Sequence, residues 1–191
     1  GWSAAQVADD YAQCAAWAVE AGADVVEANY SCPNVCSAEG QVYTDVALSE
    51  TVTETIRSGI GELPLLLKIG VFPDATLQRD FLRTVSGSAH GITLVNGIAR
   101  EVRHADGRPV FGEQYLRAGV LGRIIHEPCV RAVREARAVI DAEGLPLALA
   151  AVGGVSSVQD YEDFMAAGAD AVLCGSSPMY LPDLAVEIKA R

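Results

Sequence analysis

A chain of 191 residues, half of them hydrophobic, with 18 glycines and few aromatic side chains, can bury one real core and is not composed like a disordered or fibrous protein. Its formal net charge of −11, with no lysine-arginine run and no basic helix face, disfavours nucleic acid and anionic membrane as partners through simple repulsion. No segment reaches the ~18 apolar residues that a membrane helix needs, no signal peptide is recognised at the start, and Cys14, Cys32, Cys36, Cys129 and Cys174 form no disulfide framework, so a cytoplasmic protein in a reducing compartment is expected. Cys32 and Cys36 make one C-x3-C with no second pair, and His90, His104 and His126 lack ligand spacing, so no metal site is expected either.

Ser3 with Gln6 forms a capping box, and Val7, Tyr11, Cys14, Ala15 and Ala18 recur at helical spacing until Gly22, which predicts a first helix and puts Cys14 in the core. An apolar run then predicts a strand over roughly 23–30. It delivers Ala28-Asn29-Tyr30-Ser31-Cys32-Pro33-Asn34, where strand becomes loop. Pro33 has no N–H to donate and keeps Cys32 out of the helical region, which holds the thiol at the strand mouth. Taken singly, Cys32 reads as a small buried hydrophobe and the asparagines as turn formers. Clustered within six residues, they point to chemistry: amides pair with imide-like or carboxylate ligands, and a thiol of reference pKa near ~8.5 exchanges a proton near neutrality.

A helix to about Gly59 follows, then a strand over Leu63 to Ile69 whose one charge, Lys68, sits at its carboxyl end. Asp74 caps a helix carrying Leu77, Phe81, Leu82 and Val85 on one side, and Gly91 to Val95 forms the next strand, ending at Asn96. Residues 97–122 are the longest connection, with Ala105-Asp106-Gly107-Arg108 expected to turn a hairpin. Pro128 suits the first turn of a helix burying Cys129, Val133, Ala136 and Ile140 until Gly144. The strand over Leu145 to Val152 runs into Gly153-Gly154 and the capping signal Ser157-x-x-Asp160; glycines ahead of a helix let a phosphate reach backbone N–H groups. A last strand ends at Cys174, before Gly175-Ser176-Ser177-Pro178.

Ala21-Gly22-Ala23-Asp24 recurs as Ala167-Gly168-Ala169-Asp170, and Ser88-Ala89-His90-Gly91 is a looser third copy, so one helix-to-strand unit is reused. Five uniformly apolar strands alternating with helices predict buried parallel strands. With the polar residues gathered at strand carboxyl ends, a (β/α)8 barrel fits better than a doubly wound five-stranded parallel sheet.

Read in order, Asn29-Tyr30-Ser31-Cys32-Pro33-Asn34, Leu67-Lys68-Ile69, Val95-Asn96, Asp106-Gly107, Ala118-Gly119-Val120-Leu121-Gly122, Val152-Gly153-Gly154-Val155 and Cys174-Gly175-Ser176 resemble the carboxyl-terminal part of dihydroorotate dehydrogenases, flavin-dependent (β/α)8 barrels. The resemblance runs along nearly the whole chain. It implies one domain over residues 1–191, an incomplete TIM-type barrel of about strands four to eight, and FMN as cofactor. It also implies that Cys32 takes the C5 proton of dihydroorotate while C6 gives hydride to the flavin. Asn29, Asn34 and Asn96 would hold the pyrimidine, and Lys68 would lie beside the pyrimidine end of the isoalloxazine as a fixed positive charge. Gly153, Gly154, Gly175 and Ser176 would bind the FMN phosphate, where the last two strands of such barrels commonly form a phosphate site. Gly119 and Gly122 would let the chain pass close to the flavin. Cysteine rather than serine at position 32 is similar to the soluble branch of the family, with a small pyrimidine as substrate, no membrane partner and a homodimer left open. Two alternatives stand beside this reading. One is a tRNA-dihydrouridine synthase-like flavoenzyme, whose barrel also carries Cys-Pro after an Asn and which the acidic charge argues against; the other is a barrel fragment with no catalysis of its own. The fragment alone is expected to be inactive.

Overall fold

Ser3 opens the first helix as its capping box predicts: the Ser3 hydroxyl accepts from the Gln6 N–H at 3.3 Å, and the Gln6 side chain accepts from the Ser3 N–H at 2.9 Å. The structure, a computed structural model, describes residues 2–31 and 41–190. In chain order its elements are α1 (Ala4–Glu20), β1 (Val26–Asn29), α2 (Val46–Ile60), β2 (Leu65–Ile69), α3 (Ala75–Val85), β3 (Gly91–Leu94), β4 (Ile98–Glu101), β5 (Arg117–Val120), α4 (His126–Glu143), β6 (Ala148–Val152), α5 (Val158–Ala166), β7 (Ala171–Leu173) and α6 (Leu184–Lys189). Asp45, Asp74 and Ser157 each cap a helix by accepting from the backbone N–H three residues on, and Gly144 ends α4 in the left-handed conformation.

β1, β2, β3, β6 and β7 form one parallel sheet in that spatial order, and β4 pairs antiparallel with β5 as a separate hairpin. Each parallel strand lies beside the next one in sequence, so the sheet grows in one direction only. That is the winding of a barrel wall; a doubly wound sheet reverses its strand order at a switch point. The register fixes rows across the wall, and one of them runs Asn29, Lys68, Thr93, Ala150, Ala171. The hairpin expected in the long connection is present, with the Gly107 N–H reaching the His104 carbonyl at its turn.

The strands are not uniformly apolar in their surroundings. Val26, Ala28, Leu65, Leu67, Ile69, Ile92, Leu94, Leu149 and Ala151 are buried in one core with Val52, Ile56, Phe81, Leu82, Cys129, Val133, Ala136 and Phe164 from the helices. The alternate residues of β1, Glu27 and Asn29, are exposed, and those of β2, Leu66 and Lys68, are half-buried. Apolar sequence therefore reports one face faithfully, while the second carries polar side chains such as Glu27, which accepts from the Thr93 hydroxyl at 2.6 Å. Cys14 also departs from expectation. Ala8 and Ala15 are the buried residues of α1, whereas Cys14 is exposed and lines a surface cavity with Tyr11, Ala18, Val25 and Asn29. Helical periodicity locates the apolar stripe, but Cys14 lies on its flank beside β1, an outermost strand of the sheet, where no further described strand covers it.

Two aromatic groups hold the ends of β1 and β2. Tyr30 is fully buried, meets the Tyr11 ring edge-on at 5.5 Å and bonds Thr53 Oγ1 at 2.9 Å, while Tyr11 donates to the Asn29 carbonyl at 2.6 Å. Burial pushes the Tyr30 phenol well above its ordinary pKa. Beyond β2, Tyr43 meets Phe72 edge-on at 5.0 Å, and Phe72 leans on Phe81 at 5.3 Å. The Tyr43 hydroxyl donates to the Val71 carbonyl at 3.0 Å and lies 2.6 Å from where a Cβ on Gly70 would stand. Glycine at position 70 is thus what lets the tyrosine cross the end of β2.

Gly70→Ala is expected to lower stability by about 1–3 kcal/mol, the usual range for overpacking. Denaturant melts should show part of that loss recovered in Gly70→Ala/Tyr43→Phe, which removes the nearest clashing atom. The cysteines give a second check. Burial pushes the Cys129 thiol up to about 12, so it stays protonated at neutral pH, while Cys14 is open to solvent. Iodoacetamide at pH 8 followed by mass mapping should modify Cys14 in the native protein and reach Cys129 only after denaturation.

Candidate functional site

Parallel winding brings the carboxyl ends of the strands to one rim, and a cleft of about 270 Å³ lies there. Its lining includes Lys68 from β2, Asn96 after β3, Gly122 and Arg123 after β5, Gly153 and Gly154 after β6, and Gly175 and Ser176 after β7. Three other cavities of about 320–480 Å³ are roomier, yet they lie against helix faces and the hairpin base, without this convergence of strand ends. Of the residues that the sequence singled out, Lys68, Asn96, Gly122, Gly153, Gly154, Gly175 and Ser176 are brought together. Asn29 stands beside Lys68 in register but does not line the cleft, and Gly119 is exposed on the hairpin opposite Ala99. Cys32 and Asn34 lie outside the described residues.

Asn29 and Asn96 converge on Ser31, the residue directly before Cys32. The Asn29 side-chain oxygen accepts from the Ser31 N–H at 3.1 Å, the local turn bond that asparagine makes readily. From the neighbouring loop, Asn96 Nδ2 donates to the Ser31 carbonyl at 2.8 Å, while the Asn96 N–H is anchored on the Ile69 carbonyl. The Ser31 hydroxyl pairs with the Gln41 side chain, so both described ends of the 32–40 segment are tied to each other. Lys68 is half-buried on the polar face of β2, with no carboxylate within salt-bridge distance among the described residues. A partly desolvated cation without a protein counter-charge is a place for an electron-rich or anionic group.

The glycine loop after β6 is packed from below. A Cβ on Gly153 would stand 2.5 Å from Cys129 Sγ, and one on Gly154, whose φ is +70°, would stand 2.7 Å from the Gly122 carbonyl oxygen and 3.0 Å from the Arg123 Cα. Beneath the loop sits Asp160, 2% exposed. Its Oδ2 accepts from the Ser156 N–H at 2.9 Å and the Ser156 hydroxyl at 3.0 Å; its Oδ1 faces Arg123 Nη2 at 3.1 Å and His126 Nε2 at 3.6 Å. Burial works against the Asp160 carboxylate, but the Ser156 and Ser157 donors and His126 outweigh it and hold the carboxyl below its ordinary pKa. His126, also buried, has Nδ1 3.3 Å from the Gly153 carbonyl and Nε2 3.1 Å from Asp163, whose pKa is lowered by Gln159 and His126. The ligand-capable atoms of His126, Asp160 and Asp163 lie within 4.8 Å of one another, and each already has a partner in this network.

Sequence reasoning missed Arg123, His126, Asp160 and Asp163 as parts of the rim. The available signal was the acid in Ser157-x-x-Asp160, which read as a helix cap; its carboxylate instead turns back to Ser156 and across to Arg123.

A phosphate-bearing cofactor suits this donor set. Among the described residues the backbone N–H groups of Gly153, Gly154, Gly175 and Ser176 donate no hydrogen bond, although Gly153 is buried, and unmatched N–H groups near a cation are what an oxyanion satisfies. Lys68 supplies positive charge to the same cleft.

Comparison with known proteins agrees. The family model described as dihydroorotate dehydrogenase matches residues 2–190. The dihydroorotate dehydrogenase of Dictyostelium discoideum is 29% identical over 189 residues, which cover 97% of this chain and 51% of that protein. The catalytic subunit of dihydroorotate dehydrogenase B (NAD(+)) from Staphylococcus carnosus is 27% identical over 187 residues, 97% of this chain and 58% of that one. The chain thus spans about half the length of the curated relatives it matches. Eimeria tenella DHODH, crystallised with ferulenol, shares the fold with a TM-score of 0.75 at 19% identity, over 96% of this chain and 52% of its own. Sequence match and strand order point the same way: the chain belongs to the dihydroorotate dehydrogenase family.

Proposed function

We propose that this chain forms the strand-end rim of an FMN-dependent oxidoreductase that converts dihydroorotate, or a related dihydropyrimidine, to the unsaturated ring. One observation carries the reading: Lys68, Asn96, Gly122, Gly153, Gly154, Gly175 and Ser176 surround one cleft, and Asn96 reaches from that cleft to the residue before Cys32. The oxidation removes a proton from C5 and a hydride from C6. FMN, when bound, takes the hydride.

The chain's own residues do the rest. Cys32, as thiolate, accepts the C5 proton, a task suited to a group of reference pKa near ~8.5 at a strand mouth. Asn29, Asn34 and Asn96 present amides to the carbonyl and N–H edges of the pyrimidine, with Asn29 and Asn96 also fixing the backbone at Ser31. Lys68 places a positive charge where negative charge develops during hydride transfer. Gly153, Gly154, Gly175 and Ser176 offer backbone N–H groups to the phosphate, and Gly122, which lines the cleft where Gly119 does not, allows the chain to pass close to the ring system. With about half the length of its relatives, this chain alone would grip the cofactor at one end and would not turn over. A tRNA-modifying flavoenzyme is the second reading, and the net charge of −11 weighs against so polyanionic a substrate. The five cysteines and the substrate's chemistry fit a cytoplasmic enzyme acting on a small pyrimidine, and no helix among the described residues is long and apolar enough to cross a membrane.

In the full-length protein a visible flavin spectrum should accompany purification, and anaerobic stopped-flow mixing with dihydroorotate should bleach it. Cys32→Ala is expected to slow that bleaching by ~10²–10⁴-fold at neutral pH, the usual cost of losing a general base, while Cys36→Ala stays near the parent rate. Equal rates in the two variants would remove Cys32 from the reaction. Lys68→Met should keep the fold by circular dichroism, because the Lys68 side chain is half-buried on the polar face of β2 and makes no ion pair among the described residues, yet lose flavin on gel filtration and reduce bound flavin at least ~10-fold more slowly.

A further inference from the structure

Among the described residues that line the cleft, two are cationic, Lys68 and Arg123. Lys68 rises from β2, the second strand of the wall, whereas Arg123 starts the short turn directly after Gly122, and its Cα lies 3.0 Å from where a Gly154 Cβ would stand. Arg123 is therefore rooted against the glycine loop itself. Its side chain is 59% exposed, and only Nη2 is shown engaged, 3.1 Å from Asp160 Oδ1. A guanidinium carries five N–H donors, so the single ion pair orients the fork and leaves donors for a second anion.

We propose that Arg123 is the cation of the phosphate subsite, pairing directly with the phosphate of the flavin nucleotide, and that buried Asp160 is the positioning residue that holds it beside the glycine loop. The inference rests on the flavin reading above and adds to it the side chains that distinguish a nucleotide from a phosphate-free flavin. Backbone N–H groups alone supply partial charges against a group carrying up to two negative charges, in a protein whose net charge is already −11. Arg123 brings a full charge there, with the planar geometry that matches two phosphate oxygens. Asp160 acts twice: Oδ1 fixes the guanidinium, and Oδ2 fixes Ser156 two residues beyond Gly154. Without it the arginine would swing into solvent and the loop would lose its floor. If Arg123 served only as counter-ion to Asp160, its removal would weaken every flavin alike.

The test is a pair of titrations on the full-length apoprotein, with FMN and with riboflavin, followed by quenching of flavin fluorescence. The parent protein is expected to prefer FMN. Arg123→Gln should lower FMN affinity by ~10–100-fold, the range for a lost charge-assisted bidentate pair, leave riboflavin affinity within ~2-fold, and flatten the salt dependence of FMN binding. Arg123→Lys should fall between the two in FMN preference, and it serves the comparison by itself if the glutamine variant does not fold. Asp160→Asn should also shrink the FMN-to-riboflavin ratio, with Arg123 intact. Unchanged ratios in both Arg123 variants, or equal losses for the two flavins, would overturn the proposal while leaving the flavin reading in place. A parent protein that binds neither flavin would overturn both.

Discussion

Parallel strands that each sit beside the next one in sequence must deliver all their carboxyl ends to one rim, and the meeting of Lys68, Asn96, Gly153 and Gly175 in one cleft depends on that constraint. Residues far apart in sequence, from Lys68 to Ser176, meet only because β2, β3, β6 and β7 run the same way at fixed register. The outer face of the wall carries the energetic side of the arrangement. Leu65, Leu67, Ile69, Ile92, Leu94 and Leu149 are buried almost completely under the helices, at roughly 1.5–3 kcal/mol for each fully buried aliphatic side chain. With one face so strongly fixed, slipping any strand by one residue would exchange its apolar and polar sets, which is why the second face can hold Glu27, Asn29 and Lys68 without losing register.

The rim itself rests on a buried carboxylate. Taking Asp160 out of water is costly, and a buried charge is tolerated only when it is paired and hydrogen-bonded. Here the Ser156 N–H and hydroxyl and the Arg123 guanidinium meet those needs, so removing any one of them would leave part of the desolvation cost uncompensated. The glycine loop above is consequently held by polar bonds rather than by its own side chains, of which it has none at Gly153 and Gly154. The missing side chains are what let Cys129, Gly122 and Arg123 pack so closely against that loop.

How much of this was legible in the sequence follows from the range of each signal. Caps are local, so Ser3, Asp74 and Ser157 and the hairpin turn at Gly107 were readable at short range. Strand ends follow from apolar runs, which is why Lys68, Asn96 and Gly153 could be placed at one rim before any coordinates. Cys14 was misread because periodicity gives the direction of a helix face but not how far the neighbouring sheet extends beneath it. The Asp160–Arg123 pair was not readable at all, since a carboxylate three residues after a serine is the same letter pattern whether it caps a helix or crosses to another loop. Contacts of that kind are set by how two loops pack, and nothing in either loop's own sequence announces the other.

Asn96 joins the two halves of the site. Its backbone is fixed to β2 through the Ile69 carbonyl, and its side chain is fixed to the end of β1 through the Ser31 carbonyl. The end of β2, which carries Lys68, and Ser31 after β1 are therefore connected by two hydrogen bonds through one residue. A net hydrogen bond is worth about 0.5–1.5 kcal/mol, too little to hold the fold but enough to fix Ser31 against the end of β2, with the Ser31–Gln41 contact as a further anchor.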